Sequence, residues 1–110
     1  MKKLLLLALA LFTFNTYSQI EKIEGVWKSD KSTYLVAIFH EDNKFIFQNI
    51  GEDKLKEVVV NKGDDFIVTT LINLDNNHEV VIKYTLLKNG KLRADFAGDY
   101  EGVVIHERYN

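Results

Sequence analysis

The chain has no cysteine, no proline and only six glycines among its 110 residues. The missing cysteines exclude disulfides, thiolate metal sites, thiol nucleophiles and dithiol redox chemistry together. Small secreted domains commonly lean on disulfides, so a continuous apolar core has to hold this one. With no proline and little glycine, no Pro/Gly/Ser linker divides the chain, and no low-complexity segment stands out. Long apolar runs are also scarce. The longest, Leu4 to Phe14, is 11 residues, well short of the roughly 20 a bilayer-crossing helix needs. Positive charge is in deficit, with 14 Lys and Arg against 16 Asp and Glu.

The charge that is present is unevenly placed. Met1-Lys2-Lys3 is a basic start, the apolar run follows it, and Thr16 and Ser18 are small residues two apart. This pattern predicts a secretory signal peptide over residues 1–18, with Gln19 as the mature N-terminus and a periplasmic or extracellular destination. The absence of cysteine at that junction rules out a lipoprotein anchor. The leader takes two of the 14 basic residues and none of the acids, so residues 19–110 carry 12 basic against 16 acidic residues, a formal charge of −4. Those 92 residues make one small domain. An acidic balance argues against nucleic acid as a partner and against electrostatic attachment to a membrane surface.

What the chain has in plenty is short β-rich runs. Gly25–Ser29 is followed by Thr33–His40, Lys44–Ile50, Leu55–Asn61, Asp65–Asn73, Glu79–Lys88, Lys91–Ala97 and Gly102–Tyr109. These runs are rich in Val, Ile, Thr, Phe and Tyr, which suit a pleated surface. Polar turn clusters separate them. Asn89-Gly90 is the sharpest, and predicts a type I′ hairpin turn. Connections this short force antiparallel neighbours and leave no room for crossover helices. The expected fold is all-β, an antiparallel up-and-down meander of about eight strands closed into a small barrel.

Alternation assigns the faces. Leu92, Ala94 and Phe96 alternate with Lys91, Arg93 and Asp95, and Val80, Ile82, Tyr84 and Leu86 form the matching apolar set of the preceding strand. Phe45 and Phe47 join them, and Phe66 and Val68 are placed inward with them. Phe45, Phe47, Phe66, Tyr84 and Phe96 are thus the candidate lining of an apolar ligand cavity. The competing expectation is that they simply fill the core, as side chains do in small barrels. Leu35 to Phe39 is apolar on both faces, so that strand is either covered outside or sits in a homodimer interface.

The first strand holds the most specific pattern. Gly25 has no Cβ, and Trp27, two residues on, projects from the same face. An indole beside a glycine can stopper one end of a barrel if its N–H finds an acceptor. Gly25-Val26-Trp27 resembles the Gly-x-Trp signature that opens the first strand of lipocalins and related calycin barrels. That resemblance implies a secreted barrel binding a small hydrophobic molecule. It also implies a basic residue near the chain's end, stacked across the tryptophan. Arg108 matches by position. The chain departs from the family in length, in lacking a C-terminal helix, and in having no middle Thr-Asp-Tyr type segment. Asp99-Tyr100, the nearest dipeptide, comes too late.

Catalytic and metal chemistry find little footing. His40, His78 and His106 are far apart, and no spaced ligand motif joins them. Asp75-Asn76-Asn77-His78-Glu79 alternates acids and amides but lacks the glycine and distal glutamate of a calcium loop. Paired acids such as Glu41-Asp42 and Asp64-Asp65 lie in solvated turns, where raised pKa values are not expected. No Gly-x-Ser-x-Gly or phosphate-cradling glycine loop is present. The expectation is a non-enzymatic binding protein without cofactor or metal. The alternative is an extracellular interaction module or homodimer using the Thr33–Phe39 face.

Overall fold

The computed structural model of the chain describes residues 20–109. The expected leader at residues 1–18 lies outside the described residues. Eight strands follow one another: β1 (Gly25–Ser29), β2 (Leu35–Glu41), β3 (Lys44–Ile50), β4 (Leu55–Lys62), β5 (Phe66–Asn73), β6 (Glu79–Leu86), β7 (Leu92–Gly98) and β8 (Gly102–Arg108). All pair antiparallel in one sheet, in the order β3-β2-β1-β8-β7-β6-β5-β4. The fold is therefore the expected all-β meander, curled into a nearly closed barrel. Among the described residues no helix is long and apolar enough to cross a membrane.

Closure is incomplete at one place. The first and last strands are laddered, from Trp27 opposite Arg108 to Ser29 opposite His106. β3 and β4 are sequence neighbours, yet they form the two edges of the sheet. The connection between them is two consecutive turns, Asn49 to Glu52 and Glu52 to Leu55, with Gly51 at φ +94°. These turns set β4 off from β3 instead of folding it back as a hairpin. Further along β4 a bulge lies between Val59 and Asn61, and bulges locally disrupt pairing and bend a strand.

The core is continuous, as a cysteine-free domain requires. Ile23, Trp27, Ile38, Ile67, Ile82, Tyr84, Leu92 and Ala94 are buried almost completely, with Phe45, Phe47, Val36 and Leu71 around them. Leu92, Ala94, Ile82 and Tyr84 point inward as the alternation predicts. Phe66 and Val68 do not. Ile67 pairs with Tyr84 and Thr69 with Ile82, so Ile67, Thr69 and Leu71 are the inward set of β5. This strand is apolar on both faces, so its own alternation could not fix the parity, and a one-residue slip exchanges the faces. Phe66 instead lies outside, its ring packed over Gly63 with Lys83 Nζ 4.9 Å from its centroid.

The turn at Asn89-Gly90 also differs from expectation. Only Gly90 has positive φ (+85°), and the loop closes through Gly90 N–H to Leu87 C=O (3.0 Å) and Leu87 N–H to Lys91 C=O (2.9 Å). It is a longer hairpin loop with glycine in the left-handed position. Asn89 keeps its ordinary backbone because its side chain accepts from the Lys91 N–H at 3.0 Å. The two-residue turn with both centres left-handed is Asp42-Asn43, at φ +51° and +64°, between the paired Glu41 and Lys44.

The barrel end at the N-terminal turn is stoppered. Trp27 is fully buried, and its indole N–H donates to the Ile23 carbonyl at 2.7 Å. The Arg108 guanidinium lies 4.4 Å from the ring centroid and donates to the carbonyls of Glu24 (2.8 Å) and Lys22. A Cβ on Gly25 would stand 2.6 Å from Arg108 Nη1, so the glycine clears the path of that arm. In urea titrations Trp27→Ala should destabilise the fold by roughly 3–5 kcal/mol, the cost of deleting a buried large aromatic. Lys83→Ala, an exposed outward position, should cost less than about 1 kcal/mol. A Trp27→Ala loss as small as that would contradict the stopper role.

Candidate functional site

The five candidate cavity residues do not surround one chamber. Phe47 packs its ring against Tyr84 at 5.1 Å, and both are buried. Phe45 stacks on His40 at 4.8 Å, with Lys62 Nζ 5.5 Å from its ring centroid. Phe96 meets Tyr100 edge-on at 5.4 Å. Phe66 is outside. Phe45, Phe47 and Phe96 border three separate clefts, and Phe45, Phe47 and Tyr84 belong to the buried core cluster. Of the structural signature, Gly25, Trp27 and Arg108 do converge, at the stoppered end.

Clefts lie toward both ends: one of about 470 Å³ beside Lys22, Leu86 and Arg108 outside the stopper, and another toward the opposite end. A cleft of about 350 Å³ there is walled by Ser29, Tyr34, Glu52, Phe96, Tyr100 and His106, among others. Strand pairing sets Ser29 beside His106 and Phe96 beside Gly102. Ser29 Oγ accepts from the Lys31 N–H at 3.0 Å and so folds the β1–β2 loop over one wall. His106 is 5 % exposed, and its Nδ1 is buried without a hydrogen-bond partner. Its ring lies 6.2 Å from that of Tyr84. Burial holds the imidazole neutral by lowering its pKa to about 4.

Below the mouth, toward the β3–β4 seam, lies a polar cluster inside the apolar core. Glu57 accepts at Oε2 from Tyr84 Oη (2.6 Å) and Thr69 Oγ1 (2.7 Å), and at Oε1 from Asn49 Nδ2 (3.2 Å). The Asn49 bond spans the gap where β3 and β4 share no ladder. The other carboxamide atom, Asn49 Oδ1, is buried and unpartnered. Desolvation pushes the Glu57 carboxyl above its ordinary pKa, outweighing the three donors that favour its charge. Burial also raises Tyr84 and Tyr34, with the Glu57 charge adding to both. Among the described residues no lysine or arginine forms an ion pair with Glu57. The ion pairs of the described residues, Lys54–Asp75, Lys91–Glu107 and Arg93–Asp95, are all on the surface.

Sequence reasoning passed over Glu57, Asn49 and Thr69. The signal was present: Glu57 stands two residues from both Leu55 and Val59, and Asn49 continues the parity of Phe45 and Phe47. A charged residue on an apolar parity is the informative exception. His40, His78 and His106 stay apart, and no group of three His, Asp or Glu among the described residues could hold a metal ion. Asn73 to His78 forms a hydrogen-bonded hairpin loop closed by its own asparagines.

No protein-family model matches this chain, and neither the curated proteins nor the solved structures searched include a match.

The buried imidazole predicts a pH response. The folded state disfavours imidazolium, whereas the unfolded chain takes up the proton below its ordinary pKa of 6.5. His106 therefore lends stability that is lost as pH falls from 6.5 to about 4. Glu57 acts in the opposite sense, because its raised pKa makes the folded state the better proton acceptor above its ordinary pKa of 4.5. In His106→Gln the acid loss between those limits should shrink, by at most roughly 3 kcal/mol. Urea melts at pH 7 and pH 4.5 measure it, and an unchanged slope would mean that the imidazole is solvated.

Proposed function

We propose that this chain is an exported, non-enzymatic binding protein of lipocalin-like plan, holding a small and largely apolar ligand at the open mouth of its barrel. The observation that carries this reading is the unpartnered Nδ1 of His106, buried beside an aromatic-walled cleft. A neutral imidazole has one donor and one acceptor nitrogen, so a free Nδ1 calls for a polar partner, and a hydroxyl can meet either tautomer. Phe96, Tyr100 and Tyr34 offer ring faces around it. A cleft of about 350 Å³ falls at the lower end of the size range of small-molecule sites. Trp27 stoppers the other end, so the mouth is the natural entrance. Export is supported by the basic start, the 11-residue apolar run and the small residues at Thr16 and Ser18.

The fitting ligand is an aromatic or compact aliphatic molecule with one hydroxyl or N–H. Indole is a suitable probe. In amide NMR titrations it should shift signals of Tyr34, Phe96, Tyr100 and His106. Tyr100→Ala should weaken binding by about 1 kcal/mol, the loss of one edge or face contact. Saturating indole without any shift at those four residues would end this reading.

A second reading rests on the outer face of β2 and β3. Leu35 stands opposite Ile50 and Phe39 opposite Ile46, and Phe39 and Ile50 remain 38 % and 43 % exposed. This apolar strip suits self-association of the barrel. Sedimentation velocity should then show a concentration-dependent dimer that Phe39→Lys abolishes. A monomer at all concentrations removes it.

A further inference from the structure

We propose that the β3–β4 seam is a binding site for an organic cation, specifically a primary ammonium, with Glu57 as its counter-ion and Asn49 as its second acceptor. A cleft of about 340 Å³ opens there, lined by Phe47, Asn49, Glu52, Asp53, Leu55 and Glu57 with their neighbours. It shares Glu52 with the mouth cleft. The proposal goes beyond the mouth reading, and the two can fail separately.

Hydrogen-bond accounting carries the argument. An ionised carboxylate offers about four acceptor positions. Thr69 and Tyr84 occupy both positions on Oε2, while Asn49 Nδ2 takes one on Oε1. One position on Oε1 therefore remains open. On the same side chain that donates to Oε1, Asn49 Oδ1 is buried with no partner at all, in a residue 8 % exposed. That orphan is an observation independent of the acids, and it too asks for a donor. An ammonium brings three N–H donors from one atom. It can satisfy Oε1 and Oδ1 together, while Glu52 and Asp53 elsewhere on the lining make the cleft more negative.

Charge selects among donors. Glu57 is 9 % exposed, yet no lysine or arginine pairs with it. Buried charges are ordinarily paired or hold a metal. A metal ion is disfavoured, because the described residues place no three ligating side chains together and hard cations want six or more oxygens. An anion would meet three carboxylates, Glu52, Asp53 and Glu57, against the single cation of the lining, Lys56. A neutral alcohol could fill the acceptors but would leave the charge uncompensated. Phe47 and Leu55 supply an apolar wall for the carbon body of the amine.

The test compares three probes of one shape on the unaltered chain: phenethylamine, 2-phenylethanol and phenylacetate, followed by amide NMR including the Asn49 side-chain signals. Phenethylamine should bind at least tenfold more tightly than the other two, shifting Asn49, Leu55 and Glu57. Glu57→Gln retains acceptors for Thr69 and Tyr84, and should cut phenethylamine affinity at least tenfold while leaving indole binding at the mouth unchanged. Equal binding of the three probes overturns the proposal, as does undiminished affinity in a folded Glu57→Gln. Phenethylamine shifts confined to Phe96, Tyr100 and His106 would overturn the seam site and leave the mouth reading standing. Shifts confined to Asn49, Leu55 and Glu57, with indole binding nowhere, would do the reverse.

Discussion

Two halves of this barrel share one apolar core but only a short backbone ladder, and the stacking of Arg108 on Trp27 secures that ladder. The sheet order places β1–β3 on one side and β4–β8 on the other. Among the described residues, three residue pairs between β1 and β8 are the only ladder that links them. So short a ladder closes little of the chain entropy by itself. The ring supplies the rest. Its N–H ties β1 back to Ile23, and its face receives a guanidinium from the final strand, a contact worth about 0.5–2 kcal/mol. The same guanidinium donates to Lys22 and Glu24. One side chain from each end of the domain therefore locks the N-terminal turn, the first strand and the last strand together.

The other boundary between the halves, at β3 and β4, is held by different means. Where a ladder would run, the side chain of Asn49 reaches Glu57, which in turn is held by Thr69 on β5 and Tyr84 on β6. Side-chain bonds substitute for backbone bonds, at the expense of a carboxyl group taken out of water. Low local dielectric makes such a cluster strong when satisfied and costly when not. Here it is mostly satisfied, with two acceptor atoms left short, Glu57 Oε1 and Asn49 Oδ1.

Most of this plan was legible in the residues. Strand boundaries follow from β-branched and aromatic runs between polar clusters, and Lys44–Ile50 and Gly25–Ser29 match residue for residue. The Trp27–Arg108 partnership was expected from the resemblance of Gly25-x-Trp27 to the calycin signature, and the register of β1 with β8 sets the two residues opposite each other. Phe66 was not, since β5 is apolar on both faces and only the pairing of Ile67 with Tyr84 decides which side is wet. The Asn89-Gly90 turn misled because Asn89 satisfied its neighbour's N–H from ordinary backbone, leaving the left-handed pair to Asp42-Asn43. The open seam is invisible to alternation, which describes strands singly and says nothing of whether neighbours share a ladder.

The distribution of buried polar groups bears on function more than the barrel itself does, since folds of this kind host many tasks. A domain this small and without disulfides has a narrow stability margin. Leucine or phenylalanine at positions 49, 57 and 106 would have packed the interior at no electrostatic expense, and buried charges replaced by apolar side chains are often neutral or stabilising. This chain instead carries a carboxyl, a carboxamide and an imidazole there, each at or near a cleft. The stoppered end, by contrast, leaves no such group unpaired: the indole N–H is satisfied, and Arg108 spends its donors on carbonyls. Among the described residues the unpartnered buried polar atoms, Asn49 Oδ1 and His106 Nδ1, thus lie away from the stopper, where the indole N–H and the guanidinium both find carbonyl acceptors.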